Sequence, residues 1–225
     1  MAMNNIIFTA GGSGKRMNTE IPKQFIPVSG KPMLMWAMQA FELFDASMRK
    51  IIVLPAARIT LWEDLCKEFN FSISHQLVKG GNTRFESVKN GILHATGNGL
   101  TGIHDGVRPF PSIETIRNTF DTASKYGSAI PYIDSTDTLR QIHGDNSQII
   151  DRSKIKRIQT PQVFSTEIIK KAYQQDYRKE FTDDASVVEA LGYQVHLCPG
   201  NEENLKVTTR MDLRIAIMLG DLMAK

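Results

Sequence analysis

The chain has 225 residues, and its 27 Lys and Arg against 24 Asp and Glu leave a formal net charge of +3, which argues against a dedicated nucleic-acid binder. Residues of the AVILMFWYC set make up 41%, enough for an ordinary globular core without covalent staples. The longest apolar run, 51–57, is far short of a membrane span, no basic segment precedes the first apolar stretch, and Cys66 and Cys198 lack CxxC spacing, so membrane, secreted and zinc-cluster classes are set aside in favour of a reducing cytoplasm.

In chain order, residues 5–10 predict a buried strand, and 32–44 a helix with Pro32 at its start, where a missing N–H costs least. Met33, Met35, Met38 and Trp36 read as packing positions on that helix, and Cys66 and Cys198 as buried thiols. A strand at 50–54 ends at Pro55, and a helix over 61–69 and a strand over 73–78 follow. Thr83-Arg84-Phe85-Glu86 has capping-box spacing and opens a helix to about residue 95. Strand 100–104 precedes a helix opened by Pro111-Ser112, with Ile113, Ile116 and Phe120 on one face. Strand 128–133, a helix at 183–191 and strand 193–197 come next. Thr209-Arg210-Met211-Asp212 then opens a last helix with Met211, Ile215, Met218 and Leu222 on one face.

Strands alternating with helices predict an α/β chain, with a doubly wound, mostly parallel sheet of Rossmann-like kind. The whole chain, 1–225, reads as a single domain with one insertion. Within 134–164, the polar-alternating pieces 137–142 and 147–150 flank Gly144-Asp145-Asn146, which is β-hairpin chemistry.

A glycine-rich loop, Gly11-Gly12-Ser13-Gly14-Lys15-Arg16, leaves the first strand directly. Such a loop lets backbone N–H groups approach phosphate oxygens. It is no Walker A loop, which would need Gly and Ser or Thr where Thr9 and Arg16 stand, and Met17 breaks a dinucleotide fingerprint starting at Gly12. Lys15, Arg16 and Lys23 bring three cations to it, which suits a densely anionic triphosphate.

With Pro22-Lys23 behind it, this loop resembles the nucleotidyltransferase signature of sugar-phosphate nucleotide synthesis. The Lys23-Gln24-Phe25 form resembles the cytidylyltransferases acting on 2-C-methyl-D-erythritol 4-phosphate, whose close relatives use ribitol 5-phosphate. Further motifs follow in order: Gly80-Gly81-Asn82-Thr83-Arg84 with Ser87-Val88, His104-Asp105-Gly106-Val107-Arg108-Pro109, and Asp151-Arg152-Ser153. Gln159-Thr160-Pro161-Gln162, Thr182-Asp183-Asp184-Ala185-Ser186 and Asn204-Leu205-Lys206-Val207-Thr208 complete a match over almost the whole chain.

The resemblance implies CTP and a sugar-alcohol phosphate as substrates, with Mg²⁺ or another divalent cation such as Mn²⁺. It assigns Arg16 and Lys23 to the reacting phosphorus, and Arg152 and Lys206 to the acceptor. Ala10, Gly11, Gly12, Gly14, Gly81, Asn82 and Ser87 would hold the nucleotide. Free N–H groups at the helix start near Thr83 and the Ser87 hydroxyl would read cytosine; some relatives carry Asp at position 82. Asp105, Arg108, Thr138 and Thr182 would meet the acceptor, and Asp105 the metal as a lone hard ligand. His104 has no second nitrogen or sulfur ligand nearby in sequence and reads as structural. Arg152 and Thr138 would lie on the 134–164 arm and reach a neighbouring subunit's site. Exposed hairpin strands need pairing partners, which favours a homodimer.

Three other readings stand beside this one. Gly106-Val107, in place of a common Ala-Ala, leans toward the ribitol branch, while Asp151-Arg152-Ser153 and 182–186 lean toward methylerythritol. A non-catalytic nucleotide sensor has little reason to keep Arg16, Lys23 and Lys206 together, and an NAD-dependent oxidoreductase is disfavoured by the failed fingerprint.

Overall fold

The computed structural model describes residues 3–12 and 21–223. The first strand, β1 (Asn5–Thr9), is buried on both faces, as a central parallel strand must be. After a 3-10 turn at Lys23–Phe25, β2 (Pro27–Val28) and β3 (Lys31–Pro32) form a small ribbon leading into α1 (Met33–Phe44). Next come β4 (Arg49–Leu54), α2 (Ile59–Glu68), β5 (Gln76–Lys79), α3 (Arg84–Ile92), β6 (Leu100–Asp105), α4 (Ile113–Tyr126) and β7 (Ser128–Asp134). A hairpin of β8 (Leu139–His143) and β9 (Asn146–Ile150) interrupts the alternation. The chain then gives β10 (Lys156–Ile158), β11 (Gln162–Ser165), α5 (Thr166–Ala172), α6 (Asp184–Glu189), β12 (Leu197–Pro199) and α7 (Arg210–Met223).

The main sheet runs β5-β4-β1-β6-β11-β7, with β5, β4, β1 and β6 parallel and β11 antiparallel to both neighbours. β10 and β11 lie end to end along one edge of β7, and β12 pairs with the other edge. Alternate side chains of β1 and β4 feed two cores. Ile6, Phe8, Ile52 and Leu54 pack with Met38, Phe41, Trp62 and Phe120 on one face. Ile7, Ile51 and Val53 pack with Val88, Ile92 and Tyr173 on the other. Helices therefore cover both faces, the doubly wound arrangement that βαβ alternation demands. Because the parallel strands share one direction, the loops after β1, β5 and β6 open at the same edge of the sheet.

Three details differ from the sequence expectations. The strand expected over 73–78 lies at Gln76–Lys79, and that expected over 193–197 lies at Leu197–Pro199, since pairing with β4 and β7 sets their bounds. On α7, Met211 and Met218 are 60% and 57% exposed, and Ile215 and Leu222 also face outward; Ala216 and Gly220 are buried instead. The small pair allows close approach: a Cβ on Gly220 would lie 2.5 Å from Ser29 Oγ on the β2–β3 turn. Finally, Cys198 is buried but Cys66 is only half-buried, and both are free.

The expected hairpin is present. Leu139 pairs with Ile150 and His143 with Asn146, around a turn whose Gly144 has φ +59°. It makes its own two-stranded sheet, with Ile142 and Ile149 exposed. Among the described residues, no helix is long and apolar enough to cross a membrane.

Candidate active site

A cavity of about 350 Å³ opens at the carboxyl edge of the parallel strands. The loop after β1 contributes Ala10, Gly11 and Gly12, and the loop after β5 contributes Gly80, Gly81, Asn82 and Thr83. Lys23, Ser87, Asp105, Val107 and Lys206 complete much of the wall. A smaller cavity of about 150 Å³ adjoins it and shares Arg84, Asp105 and Lys206; Arg108, Gln159, Thr182 and Asp183 line its other side. Of the expected site residues, Ala10, Gly11, Gly12, Lys23, Gly81, Asn82, Ser87, Asp105 and Lys206 thus meet in the larger cavity, and Arg108 and Thr182 in the smaller one. Thr138 and Arg152 are exposed on the arm and line neither; Arg152 Nη1 donates to Thr136 O. Gly14 and Arg16 lie outside the described residues.

No described atom lies within 4 Å of a Cβ built on Gly11 or Gly12, so the surrounding protein does not demand glycine there. The backbone at both positions is open to close approach by a ligand. At Gly81 the protein itself demands glycine: a Cβ would lie 2.3 Å from that of Glu86, which folds back as the acidic half of the expected capping box.

That box also takes up part of the N–H set expected to read the base. The Glu86 carboxylate accepts from the N–H groups of Asn82 and Thr83, and Ser87 Oγ accepts from Gly81 N at 3.1 Å while donating to Thr83 O at 2.9 Å. The N–H groups of Gly81, Asn82 and Thr83, just before the helix, are therefore occupied. The Asn82 side chain lines the cavity and makes no hydrogen bond to the described protein, which leaves its amide available to a ligand.

Asp105 ends β6 and is 7% exposed. Its Oδ2 lies 3.0 Å from Lys206 Nζ and 3.3 Å from Arg108 Nε. Burial alone would raise the carboxyl, but Lys206, Arg84 and Arg108 hold it far below the usual carboxylate range. Arg108 is itself committed to the protein, since Nη1 donates to Asn204 O at 2.8 Å. Asn204 is fully buried and donates through Nδ2 to Thr160 O at 2.8 Å, so the segment carrying Lys206 is tied to the loop before β11. Asn204, Gln24 and Asp184 stand inside the sequence motifs, which assigned them no role. Gln24 Nε2 donates to Ala10 O at 2.6 Å and anchors the glycine loop to the turn that bears Lys23.

His104 has the structural role expected. Asp105 N donates to Thr160 Oγ1 at 3.0 Å, the Thr160 hydroxyl meets His104 Nδ1 at 3.1 Å, and Nε2 meets Arg108 O at 2.9 Å. A neutral imidazole protonated on Nε2 satisfies every member of this chain. Burial pushes His104 down to about 4, from an ordinary 6.5. Below pH 6.5 the unfolded chain takes up a proton that the folded chain excludes until about pH 4. Stability should therefore be complete above pH 6.5 and fall across that window by up to about 3 kcal/mol. Urea unfolding of native protein and His104→Gln at pH 7 and 4.5 checks this: the variant should lose less stability on acidification.

Two adjoining cavities, one glycine-lined and one polar, with a carboxylate and two cations on their shared wall, suit the joining of a nucleoside triphosphate to a second anionic substrate. Comparison with known proteins agrees. The family model described as IspD, 2-C-methyl-D-erythritol 4-phosphate cytidylyltransferase, matches residues 4–219. The chain is 49% identical over 215 residues to the 2-C-methyl-D-erythritol 4-phosphate cytidylyltransferase of Phocaeicola vulgatus, covering 96% of this chain and 98% of the relative. Among solved structures, the 4-diphosphocytidyl-2C-methyl-D-erythritol synthase of Anaerococcus prevotii superposes with a TM-score of 0.83 at 26% identity, over 97% of this chain and 96% of that one. The 2-C-methyl-D-erythritol 4-phosphate cytidylyltransferase of Thermus thermophilus superposes with a TM-score of 0.80 at 27% identity, over 98% and 100%. Motif order, sheet order and these matches over nearly the full length agree: the chain belongs to the 2-C-methyl-D-erythritol 4-phosphate cytidylyltransferase family.

Proposed function

We infer that the chain transfers the cytidylyl group of CTP to 2-C-methyl-D-erythritol 4-phosphate and releases pyrophosphate, a step of isoprenoid precursor synthesis. The observation that carries this reading is the meeting of Lys23, Asp105 and Lys206 with two glycine loops around one cavity. A phosphate oxygen of the acceptor attacks the α-phosphorus; that P–O bond forms as the bond to the bridging oxygen of the β-phosphate breaks. Charge builds on the non-bridging and leaving oxygens, so the protein acts mainly by placing substrates and fixed charges. Lys23 neutralises the developing charge. Lys206, held by Asp105, faces the acceptor phosphate, and Thr182 meets its hydroxyls.

Asp105 fits a divalent cation as a single hard oxygen ligand, since its Oδ1 makes no hydrogen bond to the described protein. Asp105 would hold the ion from the protein side, and Mg²⁺ commonly takes its remaining ligands from phosphate and water. When bound, the ion supplies charge neutralisation of the triphosphate.

The exposed hairpin, with Ile142 and Ile149 uncovered, supports a homodimer in which the arm carries Arg152 and Thr138 to the partner's site. Two free thiols support a cytoplasmic setting.

Methylerythritol phosphate is favoured over ribitol 5-phosphate by the names of the most similar relatives. Gly106, which had leaned the other way, packs against Ala10 and Leu34, where an added Cβ would sit 3.2 Å from each, so it answers to loop packing. A pyrophosphate-release panel of four nucleoside triphosphates against methylerythritol, ribitol and xylulose phosphates tests the reading. CTP with methylerythritol phosphate should exceed the ribitol pair in kcat/KM by about tenfold or more, since an unmatched hydroxyl in a polar site costs about 1–3 kcal/mol. The opposite ranking overturns the acceptor assignment.

A further inference from the structure

Arg84 and Asp184 are the first residues of two separate helices, α3 and α6, each opened by its own capping box. A cation in a helix's first turn opposes the helix dipole, so Arg84 has no local reason to stand there. Its partner lies across the fold: Nη1 donates to Asp184 Oδ1 at 3.0 Å and Nη2 to Oδ2 at 2.6 Å. Asp184 is fully buried, and Tyr173 on the end of α5 donates its hydroxyl to the same Oδ1 at 2.6 Å. Tyr173 in turn stacks on Phe85 at 4.7 Å, and Phe85 on Phe181 at 5.7 Å. Gln162 ties the start of α6 to the sheet, donating to Asp183 Oδ2 at 2.8 Å and accepting from Ala185 N at 2.9 Å.

The guanidinium lines both cavities. On its own helix the preceding residues, Asn82 and Thr83, face the larger cavity; beside its partner, Thr182 and Asp183 face the smaller one. We propose that Asp184 and Tyr173 are positioning residues that hold Arg84 as a two-pronged clamp between the starts of α3 and α6, and so fix the nucleotide loop against the acceptor loop. This rests on the reading that the larger cavity takes CTP and the smaller one the acceptor.

Each loop keeps its own capping box when the clamp is broken, so each should still bind its substrate; what is lost is their alignment. Arg84→Lys keeps the charge but not the planar fork. Its kcat, measured per CTP-binding site counted by calorimetry, should fall by about tenfold or more, with both KM values changed less than about threefold. Asp184→Asn should behave likewise, and Tyr173→Phe should show a smaller fall in kcat with the same split. Where Asp184→Asn fails to fold, the other two variants decide. Normal kcat per site in Arg84→Lys and Tyr173→Phe overturns the clamp, as does a loss confined to one KM. Thr182→Val is run in parallel: an unchanged acceptor KM overturns the cavity reading itself, whereas a raised KM beside unimpaired clamp variants overturns only the clamp.

Discussion

Replacing Lys23 with alanine should lower kcat by about a hundredfold or more at saturating CTP, the scale for losing one preorganised contact to a transition-state charge. Lys23 is 8% exposed on the cavity wall, where a cation is screened less than at the surface. Its 3-10 turn is anchored by neighbours: Gln24 holds Ala10 O, and Phe25 stacks on Trp62 at 5.7 Å. The fold should therefore persist, and circular dichroism with a thermal melt checks that it does. Steady-state kinetics then separates the possibilities. A fall in kcat with CTP still bound places Lys23 at the reacting phosphorus. A raised KM with normal kcat would reduce it to ground-state binding.

The second large effect is a recovery. If the arm delivers Arg152 to the neighbouring subunit, each active site combines Lys23 of one chain with Arg152 of the other. Homodimers of Lys23→Ala should be nearly inactive and homodimers of Arg152→Ala severely impaired. Unfolding and refolding an equal mixture makes about half the dimers hybrid by random pairing, and two-fold symmetry gives each hybrid one site with both lesions and one with neither. About a quarter of native activity should return. The exposure of Arg152, outside both cavities of its own chain, is what this exchange requires. If Arg152 acted within its own chain, every site would carry a lesion. Verified hybrids with no recovered activity would then remove the shared site and leave the chemistry of the cavity standing.

Much of the fold was signalled locally. β1 shows as a run of apolar residues ended by glycines, α3 opens on Thr83 and Glu86 three apart, and the hairpin turns at Gly144; each signal is carried by residues close in sequence. The motifs that line the larger cavity could be named in order for the same reason. What gathers them is sheet direction: β1, β5 and β6 run parallel, so loops about 70 and 100 residues apart along the chain open at one edge.

Other features had no local trace. The outward face of α7 follows helical periodicity as well as a buried face would, and only the close packing of Gly220 on Ser29 decides which side is inside. The amides of Gly81, Asn82 and Thr83 looked free for a base, because the competition from Glu86 and Ser87 depends on how far each side chain folds back. Arg84 and Asp184 stand 100 residues apart in two separate motifs, and nothing in either motif pairs them. A charge pair is set by distance in space, and burial of Asp184 by the packing of α5 and α6, so neither the pair nor its energy exists until the chain has folded.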